Sequence, residues 1–234
     1  MGNVVSMNYI NTVGIRKLLL TNNNGNKIYL LNNGFKFKQF PEHLRKIDDP
    51  DMEFLYNSLL EQTKLHLETI STPTQLVAED DYLYGYISPY EEGDIIRNID
   101  PLTQIDILLS LIKKLERDIK TLSDMGWTMH DFHDANLIID WKIPTAKIID
   151  TDCYIRSKTD CYKYNLKIVF SSIIYDLLPK IQLSKAYEKK IIKRYFLMAQ
   201  EGIMKASEFL ELLLIELKQY IIKGLTLEEL RMKI

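Results

Sequence analysis

The sequence predicts an α+β protein in which a small β-rich lobe precedes a larger helical lobe. Two observations predict this order. Short apolar or alternating segments, separated by turns that contain Asn, Gly or Pro, occupy residues 13–88 and are typical of strands. After Gly93, apolar residues recur mainly at helical spacing. We therefore expect an N-terminal lobe over residues 1–88 and a C-terminal lobe over residues 89–234.

Three strands are expected between residues 13 and 40. An apolar segment at residues 13–20 is followed by a turn rich in Asn, with one Gly, and a second segment at residues 27–31 is closed by Asn32-Asn33-Gly34. Asn and Gly tolerate the positive φ angles of such turns. Residues 35–40 alternate between Phe and polar side chains, which predicts a strand with one buried face.

One helix and one hairpin complete the expected N-terminal lobe. Asp49-Pro50-Asp51 is typical of a helix start, because acidic side chains in the first turn interact favourably with the positive end of the helix dipole. Helical spacing then continues to Leu65. Two apolar segments, residues 76–78 and 82–87, flank Glu79-Asp80-Asp81 and predict a hairpin. The lobe is expected to hold a five-stranded sheet with one helix after the third strand.

The helical lobe is expected to open with a long amphipathic helix. This helix begins after Asp100-Pro101 and ends at Gly126, a residue that favours the left-handed conformation at a helix end. Beyond residue 164 the pattern predicts helices only. These helices should be separated near three breaking residues, Pro179, Gly202 and Gly224.

Composition excludes several classes of protein. The net charge is −2, so no basic field favours nucleic acid as a partner. The two cysteines, Cys153 and Cys161, indicate neither a zinc site nor a disulfide framework, and a cytoplasmic setting fits them. No apolar segment reaches the roughly 20 residues of a transmembrane helix. The N-terminus matches the pattern for myristoylation at Gly2, which would apply only in a eukaryotic cytosol.

A cluster of polar residues between residues 129 and 152 predicts chemistry. Asp131 is followed five positions later by Asn136 and an apolar strand, and Asp150 ends a second apolar strand. An Asp can orient or receive the proton of an attacking hydroxyl, whereas an Asn and a second Asp can hold divalent metal on nucleotide phosphates. The pattern therefore predicts phosphoryl transfer from ATP.

With these residues the chain resembles the protein-kinase-like superfamily. The catalytic loop of that family, H-R-D-L-x-x-x-N, aligns without a gap with residues 129–136, and its metal-binding D-F-G aligns with residues 150–152. The resemblance implies a bilobal fold and an enzyme that uses ATP and Mg. It implies that Asp131 receives the proton of the acceptor hydroxyl, and that Asn136 and Asp150 are metal ligands.

The resemblance also implies a set of nucleotide-binding residues in the N-terminal lobe. The lysine that contacts the α- and β-phosphates matches Lys36 or Lys38, which alternation places on one face of a strand. We favour Lys38, because Phe residues make the other face apolar. Its ion-pair partner is expected to be Glu61, with Glu53 as the alternative. The hinge, whose backbone groups hold the adenine edge, would be formed by Tyr86, Ile87 and Ser88.

Departures from the family pattern bear on the substrate. The glycine-rich phosphate loop is absent, since residues 21–27 contain only Gly25. His130 replaces the motif Arg, so we expect no control by phosphorylation of an activation loop. His133 stands where protein kinases have Lys; it resembles the aminoglycoside- and choline-kinase branch, and we expect it to contact phosphate in catalysis. The segment from residue 153 to residue 162 is short and offers little platform for a peptide.

The leading interpretation is an atypical protein Ser/Thr kinase-like enzyme that transfers the γ-phosphate of ATP to a hydroxyl. A small-molecule kinase is the close alternative, because of His133 and the short activation segment. A pseudokinase without turnover, or a nucleotidyl transferase with the same fold, are further alternatives. The partners are therefore expected to be ATP and either a protein or a small-molecule hydroxyl acceptor.

Overall fold

The structure, a computed structural model, describes residues 3–98, 105–158, 160–182 and 190–222. Gly2, Asp100-Pro101 and Gly224, named above as a lipidation site, a helix start and a helix break, lie outside these ranges. The chain divides into two compact units. The first unit comprises Met1–Leu67, Ser71–Glu91 and Ile149–Asp152, and the second comprises Glu68–Ile70, Glu92–Ile148 and Cys153–Ile234.

A six-stranded sheet with two helices forms the first unit. Its elements in chain order are β1 (Val4–Val5), α1 (Met7–Val13), β2 (Ile15–Thr21), β3 (Lys27–Leu31), β4 (Phe35–Gln39), α2 (Pro50–Gln62), β5 (Gln75–Glu79) and β6 (Tyr82–Pro89). The strands lie in the order β1-β5-β6-β4-β3-β2, and every pair is antiparallel except β1 with β5. The predicted antiparallel strands and the inserted helix are confirmed.

The first two elements, β1 and α1, were not predicted. β1 is only two residues long, and α1 is seven, too short for either periodicity to stand out. The strand expected to begin at residue 13 instead begins at Ile15, because α1 continues to Val13 and Gly14 follows it at φ +81°. Ile10 on α1 is buried against Phe37 and Ile87.

Strand β4 pairs with β3 and β6 along its two edges, and side chains on both of its faces are buried. Phe37 faces the cluster that contains Ile10 of α1. Tyr86, the register partner of Lys38 on β6, packs in the second cluster, with Leu59 of α2. Alternation places Lys36 and Lys38 on the face away from Phe37, and both are buried, with 7% and 4% exposure. Two lysines are therefore buried on the face of the sheet against which α2 packs.

The second unit is mostly helical. Its helices are α3 (Ile105–Asp124), α4 (Cys161–Gln182), α5 (Lys190–Gln200) and α6 (Ala206–Ile222). Its short strands are β7 (Asp94–Ile95), β8 (Trp127–Thr128), β9 (Leu137–Asp140), β10 (Thr145–Ile148) and β11 (Ile155–Arg156), which form the sheets β10-β9-β7 and β11-β8. The helical character of this region is confirmed.

The long helix α3 buries the apolar stripe expected of it, including Leu108, Ile112 and Ile119, and Gly126 follows at φ +80°. Helix α4 continues through Pro179, and its described residues end at Gln182, three residues beyond, so the separation expected near Pro179 stays a prediction. A proline removes one hydrogen bond from a helix and bends it, which a long helix can absorb. The separation near Gly202 is confirmed. No helix in the described ranges has the length and apolar character to cross a bilayer.

Gly85 lets two strands approach closely beside Lys38. Its φ is +150°, and a Cβ at this position would lie 1.9 Å from the carbonyl oxygen of Lys38. We expect Gly85→Ala to lower the free energy of unfolding by at least about 2 kcal/mol, since backbone strain and a backbone clash add. Gly34→Ala is the matched control, because Gly34 also has a positive φ, +82°, but no atom within 4 Å of an added Cβ. Equal urea midpoints for the two variants would contradict this expectation.

A buried carboxylate links α3 to the start of α6. Glu116 is 5% exposed and accepts a hydrogen bond from Ser207 N–H at 2.9 Å and one from the Ser207 hydroxyl. Burial raises the pKa of Glu116 above its ordinary value of 4.5, although Ser207 and Lys205 oppose the rise. A raised pKa in the folded state favours folding below pH 4.5, and this contribution is lost as the pH rises through the folded-state pKa.

Glu116→Gln should therefore gain stability relative to the wild type as the pH rises above 4.5. The amide retains an oxygen for Ser207 N–H and offers the Ser207 hydroxyl a donor. Urea midpoints of both proteins measured from pH 4 to pH 8 test this. If the urea midpoint of Glu116→Gln minus that of the wild type is constant or falls with pH, burial does not raise the pKa of Glu116.

Candidate functional site

A buried ion-pair cluster occupies the interior of the first unit. Lys38 Nζ lies 2.5 Å from Asp150 Oδ1 and 2.9 Å from Asp152 Oδ2. Transferring an ammonium group out of water costs several kcal/mol unless anions compensate for the lost hydration. The two carboxylates are therefore what allows a lysine to be buried on β4.

Tyr86 belongs to the same cluster. Its hydroxyl donates to Asp150 Oδ1 at 3.2 Å, the oxygen that also receives Lys38, and the Lys38 ammonium lies 5.9 Å from the centre of the Tyr86 ring. No described residue donates a hydrogen bond to the second oxygen, Oδ2, and the Asp150 side chain is 35% exposed. Asp150 thus has one oxygen bound within the unit and one available to a ligand.

The pKa values of the cluster follow from burial and from its opposed charges. Burial acts to lower the pKa of Lys38, but Asp152 and Asp150 outweigh it, so the pKa of Lys38 is raised. Burial acts to raise the pKa of Asp150, but Lys38 outweighs burial and leaves that pKa lowered. The pKa of Asp152 is raised by burial and by Asp150. Lys38 is thus held by both carboxylates, and its attraction to them opposes the effect of burial on all three groups.

Lys36 lies on β4 opposite Ser88 on β6, and both side chains are buried. Burial, with a smaller contribution from Lys38, lowers the pKa of Lys36. The Ser88 hydroxyl finds no hydrogen-bond partner among the described residues. Lys36, Ser88 and Tyr86 thus bring polar groups to the face that carries Lys38, and their nucleotide-binding roles stay predictions.

Helix α2 reaches this cluster through a neutral side chain. Gln62 is fully buried, and its Oε1 accepts a hydrogen bond from the Thr151 hydroxyl at 2.9 Å. Glu61 and Glu53 are exposed on α2, whereas the ion-pair partners of Lys38 are Asp150 and Asp152. The role expected for Glu61, or for Glu53, as the partner of Lys38 stays a prediction.

Two of the predicted acids have a strained backbone. Within the described ranges, the residues other than glycine with positive φ are Asp80, Asp131 and Asp150, at +52°, +57° and +64°. Asp80 is in the predicted hairpin turn, where such angles are ordinary. Positive φ outside glycine costs about 1–2 kcal/mol and concentrates at functional sites. The backbone therefore singles out the two acids that the motif assigned to proton transfer and metal binding.

The loop that carries Asp131 lies in the second unit. Asn136 is buried; its side-chain amide donates to the Asp131 carbonyl at 3.1 Å, and its N–H donates to the His133 carbonyl at 2.9 Å. The Ser172 hydroxyl of α4 donates to the Phe132 carbonyl at 3.0 Å. Asp131 and His133 are exposed. These bonds hold the loop backbone while its acidic side chain faces solvent.

A buried asparagine that the motif does not contain anchors this loop. Asn165 accepts from Met129 N–H at 2.8 Å, and its amide donates to the Trp127 carbonyl and the Ser123 hydroxyl, both at 2.9 Å. It joins β8 to α3 and α4. Its signal in the sequence is a single polar residue within the apolar stripe of α4. Asp160 caps α4 by accepting from Lys163 N–H at 3.1 Å.

His130 is fixed by two contacts. Its Nε2 lies 3.1 Å from the Thr128 hydroxyl, and its Nδ1 lies 3.2 Å from the Tyr164 hydroxyl. The rings of His130 and Tyr164 are 5.3 Å apart. His130 therefore connects β8 to α4 and stands beside, not within, the exposed part of the loop.

The donor atoms fit ATP with Mg²⁺. Asp150 offers a carboxylate oxygen and Asn136 an amide oxygen, each a hard donor, and Mg²⁺ in phosphotransferases takes one or two carboxylates together with phosphate oxygens. Among the described residues, no group of three or more His, Cys, Asp or Glu could hold a metal ion. The described residues thus offer the few oxygen ligands typical of a nucleotide-bound metal, without a cage of protein ligands.

Comparison with known proteins supports the fold. No family model and no curated protein sequence matches the chain. The crystal structure of a double mutant of the Mycobacterium tuberculosis PknI kinase domain matches 88% of this chain and 94% of its own, with a TM-score of 0.59 and 12% sequence identity. The chain therefore has a protein-kinase-like fold, as the motif and the order of the lobes predicted.

Asn165→Asp tests the anchor of the loop. The change keeps an oxygen for Met129 N–H but places a second acceptor opposite the Trp127 carbonyl, which loses its donor. We expect the free energy of unfolding to fall by about 1–3 kcal/mol, the cost of an unsatisfied buried polar group. Urea denaturation is the measurement, with Asn98→Asp, an exposed asparagine of the same unit, as the control. Equal losses for both variants would refute the anchor.

Proposed function

We propose that the chain is an ATP- and Mg²⁺-dependent phosphotransferase that transfers the γ-phosphate to a hydroxyl group. The observation that carries this proposal is the buried pair of Lys38 and Asp150, 2.5 Å apart although 112 residues separate them. The resemblance implies Lys36 or Lys38 as the phosphate-binding lysine, of which we favour Lys38, and Asp150 as a metal ligand. A buried cation beside a carboxylate is what positioning and charge neutralisation of a nucleotide require.

The residues of the first unit would bind and orient the nucleotide. Lys38 donates to phosphate oxygens, and the backbone of Tyr86 and Ser88 holds the base. Lys36 brings a second buried lysine to the same face, and an anionic ligand would favour its ammonium form against the effect of burial. Bound Mg²⁺ would supply charge neutralisation between the phosphates, with Asp150 and Asn136 as its protein ligands.

The residues of the second unit would act on the acceptor. Asp131 is exposed, so it can accept the proton of an acceptor hydroxyl. His133 is exposed in the same loop and can donate a hydrogen bond to a phosphate oxygen or an acceptor. Asn136 fixes the carbonyl of Asp131 through its amide, which limits the positions available to the acid.

A protein Ser or Thr hydroxyl is our preferred acceptor, because the small helical lobe leaves little chain for an insert that would enclose a small molecule. One observation favours a small-molecule acceptor instead. Residues 153–160 separate Asp152 from α4, and within them the two-residue strand β11 pairs with β8. So short a segment offers few backbone groups to an extended peptide.

A second observation favours weak turnover or none. In the turn between β2 and β3, the N–H groups of Asn24, Gly25 and Asn26 all donate to Asn22, two to its side-chain oxygen and one to its carbonyl. A glycine-rich loop would offer such N–H groups to phosphates. Because these donors are already hydrogen-bonded, the phosphates would be bound mainly by Lys38 and the metal. The rival function is therefore that of a pseudokinase, which binds nucleotide without turnover.

Incubation with γ-labelled ATP, Mg²⁺ and host lysate tests the proposal. The wild type is expected to transfer label, and Asp131→Asn is expected to reduce the rate by about 10²–10⁴-fold, because a general base is lost while its size is kept. Asp80→Asn is the matched control, since Asp80 is also an aspartate with positive φ but lies in a hairpin turn. Electrophoresis and mass spectrometry show whether the label is in protein or in a small molecule.

Three results would contradict the proposal. Nucleotide binding without transfer, unchanged by Asp131→Asn, would indicate the pseudokinase. Addition of AMP to the product, visible as its mass, would indicate nucleotidyl transfer. Equal loss of activity in Asp131→Asn and Asp80→Asn would show that the loss comes from the fold and not from the base.

A further inference from the structure

One ammonium is held by two carboxylates of a single triplet, residues 150–152. Lys38 Nζ lies 2.5 Å from Asp150 and 2.9 Å from Asp152. The two acids differ in their surroundings, because the side chain of Asp150 is 35% exposed and that of Asp152 is 13% exposed. Asp150 also accepts from Tyr86, and its backbone has a φ of +64°.

Because of these differences, the two acids are suited to different roles: Asp150 to binding a cation and Asp152 to holding Lys38. Asp150 has an oxygen without a described hydrogen-bond donor and enough exposure to meet a cation. A carboxylate that neutralises a divalent cation attracts a neighbouring ammonium less strongly. Asp152 is the more buried acid, and its charge is compensated within the cluster by Lys38. Asp152 can thus hold the ammonium when Asp150 is engaged elsewhere.

The contact of the triplet with α2 carries no charge. Between the two acids, Thr151 is fully buried and donates to Gln62 Oε1 at 2.9 Å, and the Gln62 amide in turn donates to Ser58 at 3.4 Å. Helix α2 therefore supports the triplet through a neutral hydrogen bond. The carboxylates that pair with Lys38 are those of Asp150 and Asp152, and these two acids raise the pKa of Lys38 against the effect of burial.

We propose that Asp152 is the positioning residue of Lys38, in place of a glutamate on α2, and that the hydrogen bond between Gln62 and Thr151 fixes the triplet for this purpose. The inference rests on the proposed function and deepens it. Lys38 is then oriented by the same three residues that supply the metal ligand. A movement of α2 would then change the position of Lys38 indirectly, by moving residues 150–152 through the hydrogen bond between Gln62 and Thr151. It would not act through an ion pair between α2 and Lys38.

A double-mutant cycle on nucleotide affinity tests this inference. The measured quantity is the dissociation constant of a fluorescent ADP analogue for wild type, Asp152→Asn, Lys38→Met and the double variant, with Mg²⁺ and with EDTA. Asp152→Asn should weaken binding about tenfold in both solutions, within the range of couplings between contacting residues. In the Lys38→Met background it should have no further effect, because Asp152 acts through Lys38.

The cycle separates positioning from two other roles. If the effects of Asp152→Asn and Lys38→Met multiply, Asp152 acts independently of Lys38 and the inference fails. If Asp152→Asn weakens binding with Mg²⁺ but not with EDTA, Asp152 is a second metal ligand and the inference fails. If the wild type binds no nucleotide in either solution, the proposed function fails and the inference fails with it.

Further variants test the inference if Asp152→Asn folds poorly. Thr151→Val removes the hydroxyl that donates to Gln62 while keeping the shape of the side chain, and it should weaken binding by a smaller factor than Asp152→Asn. Asp152→Glu restores the carboxylate and should recover part of the affinity. Asp48→Asn is the control, since Asp48 forms an exposed ion pair with Lys46 in the same unit. A loss with Glu61→Gln as large as that with Asp152→Asn would assign the positioning role to α2 and overturn the inference.

Discussion

The buried ammonium of Lys38 is the constraint on which the first unit depends. The ammonium of Lys38 is stabilised by anions, because desolvation of an unpaired charge costs several kcal/mol. The nearest acids along the chain are not the ones it uses. Asp150 and Asp152 supply the charge, and the segment Ile149–Asp152 accordingly belongs to the first unit although the residues on either side of it belong to the second. Gly85 contributes the close approach of β6 to the backbone of Lys38.

Elements whose pattern is local were the ones that could be predicted. Alternation in residues 35–40 and the hairpin at Asp80 depend on neighbouring residues, and both are present as expected. Strand β1 could not be predicted, because two residues form a strand only by pairing with β5, about 70 residues away. Helix α4 continues past Pro179 for the opposite reason, since a strong local breaker is overridden in a helix of 22 residues.

The candidate site shows the same limit. Spacing and resemblance identified Lys38, Asp131, Asn136 and Asp150, because each belongs to a motif. They did not identify the residues that hold these side chains, since a hydrogen bond such as that from Thr151 to Gln62 joins positions 89 residues apart. The only sign of these supporting residues in the sequence is a polar residue at a helix position where the pattern favours an apolar one. Gln62 and Asn165 each interrupt a helical apolar stripe, and each is fully buried and hydrogen-bonded to a segment of the motif.

A fold kept at 12% identity to a kinase domain leaves freedom in how a ligand is held. In this chain the turn between β2 and β3 satisfies its own N–H groups through Asn22, so that part of the backbone is closed to an anion. The first unit compensates with side-chain charge, placing Lys36 and Lys38 on one buried face. Backbone donors recognise shape, whereas buried ammonium groups recognise charge and require a fixed counter-charge when no ligand is bound. Under the proposed function, the absence of a glycine-rich turn and the presence of a second acid in residues 150–152 are thus parts of one arrangement. In it, Lys38 would attract phosphate and Asp152 would keep Lys38 in position to do so.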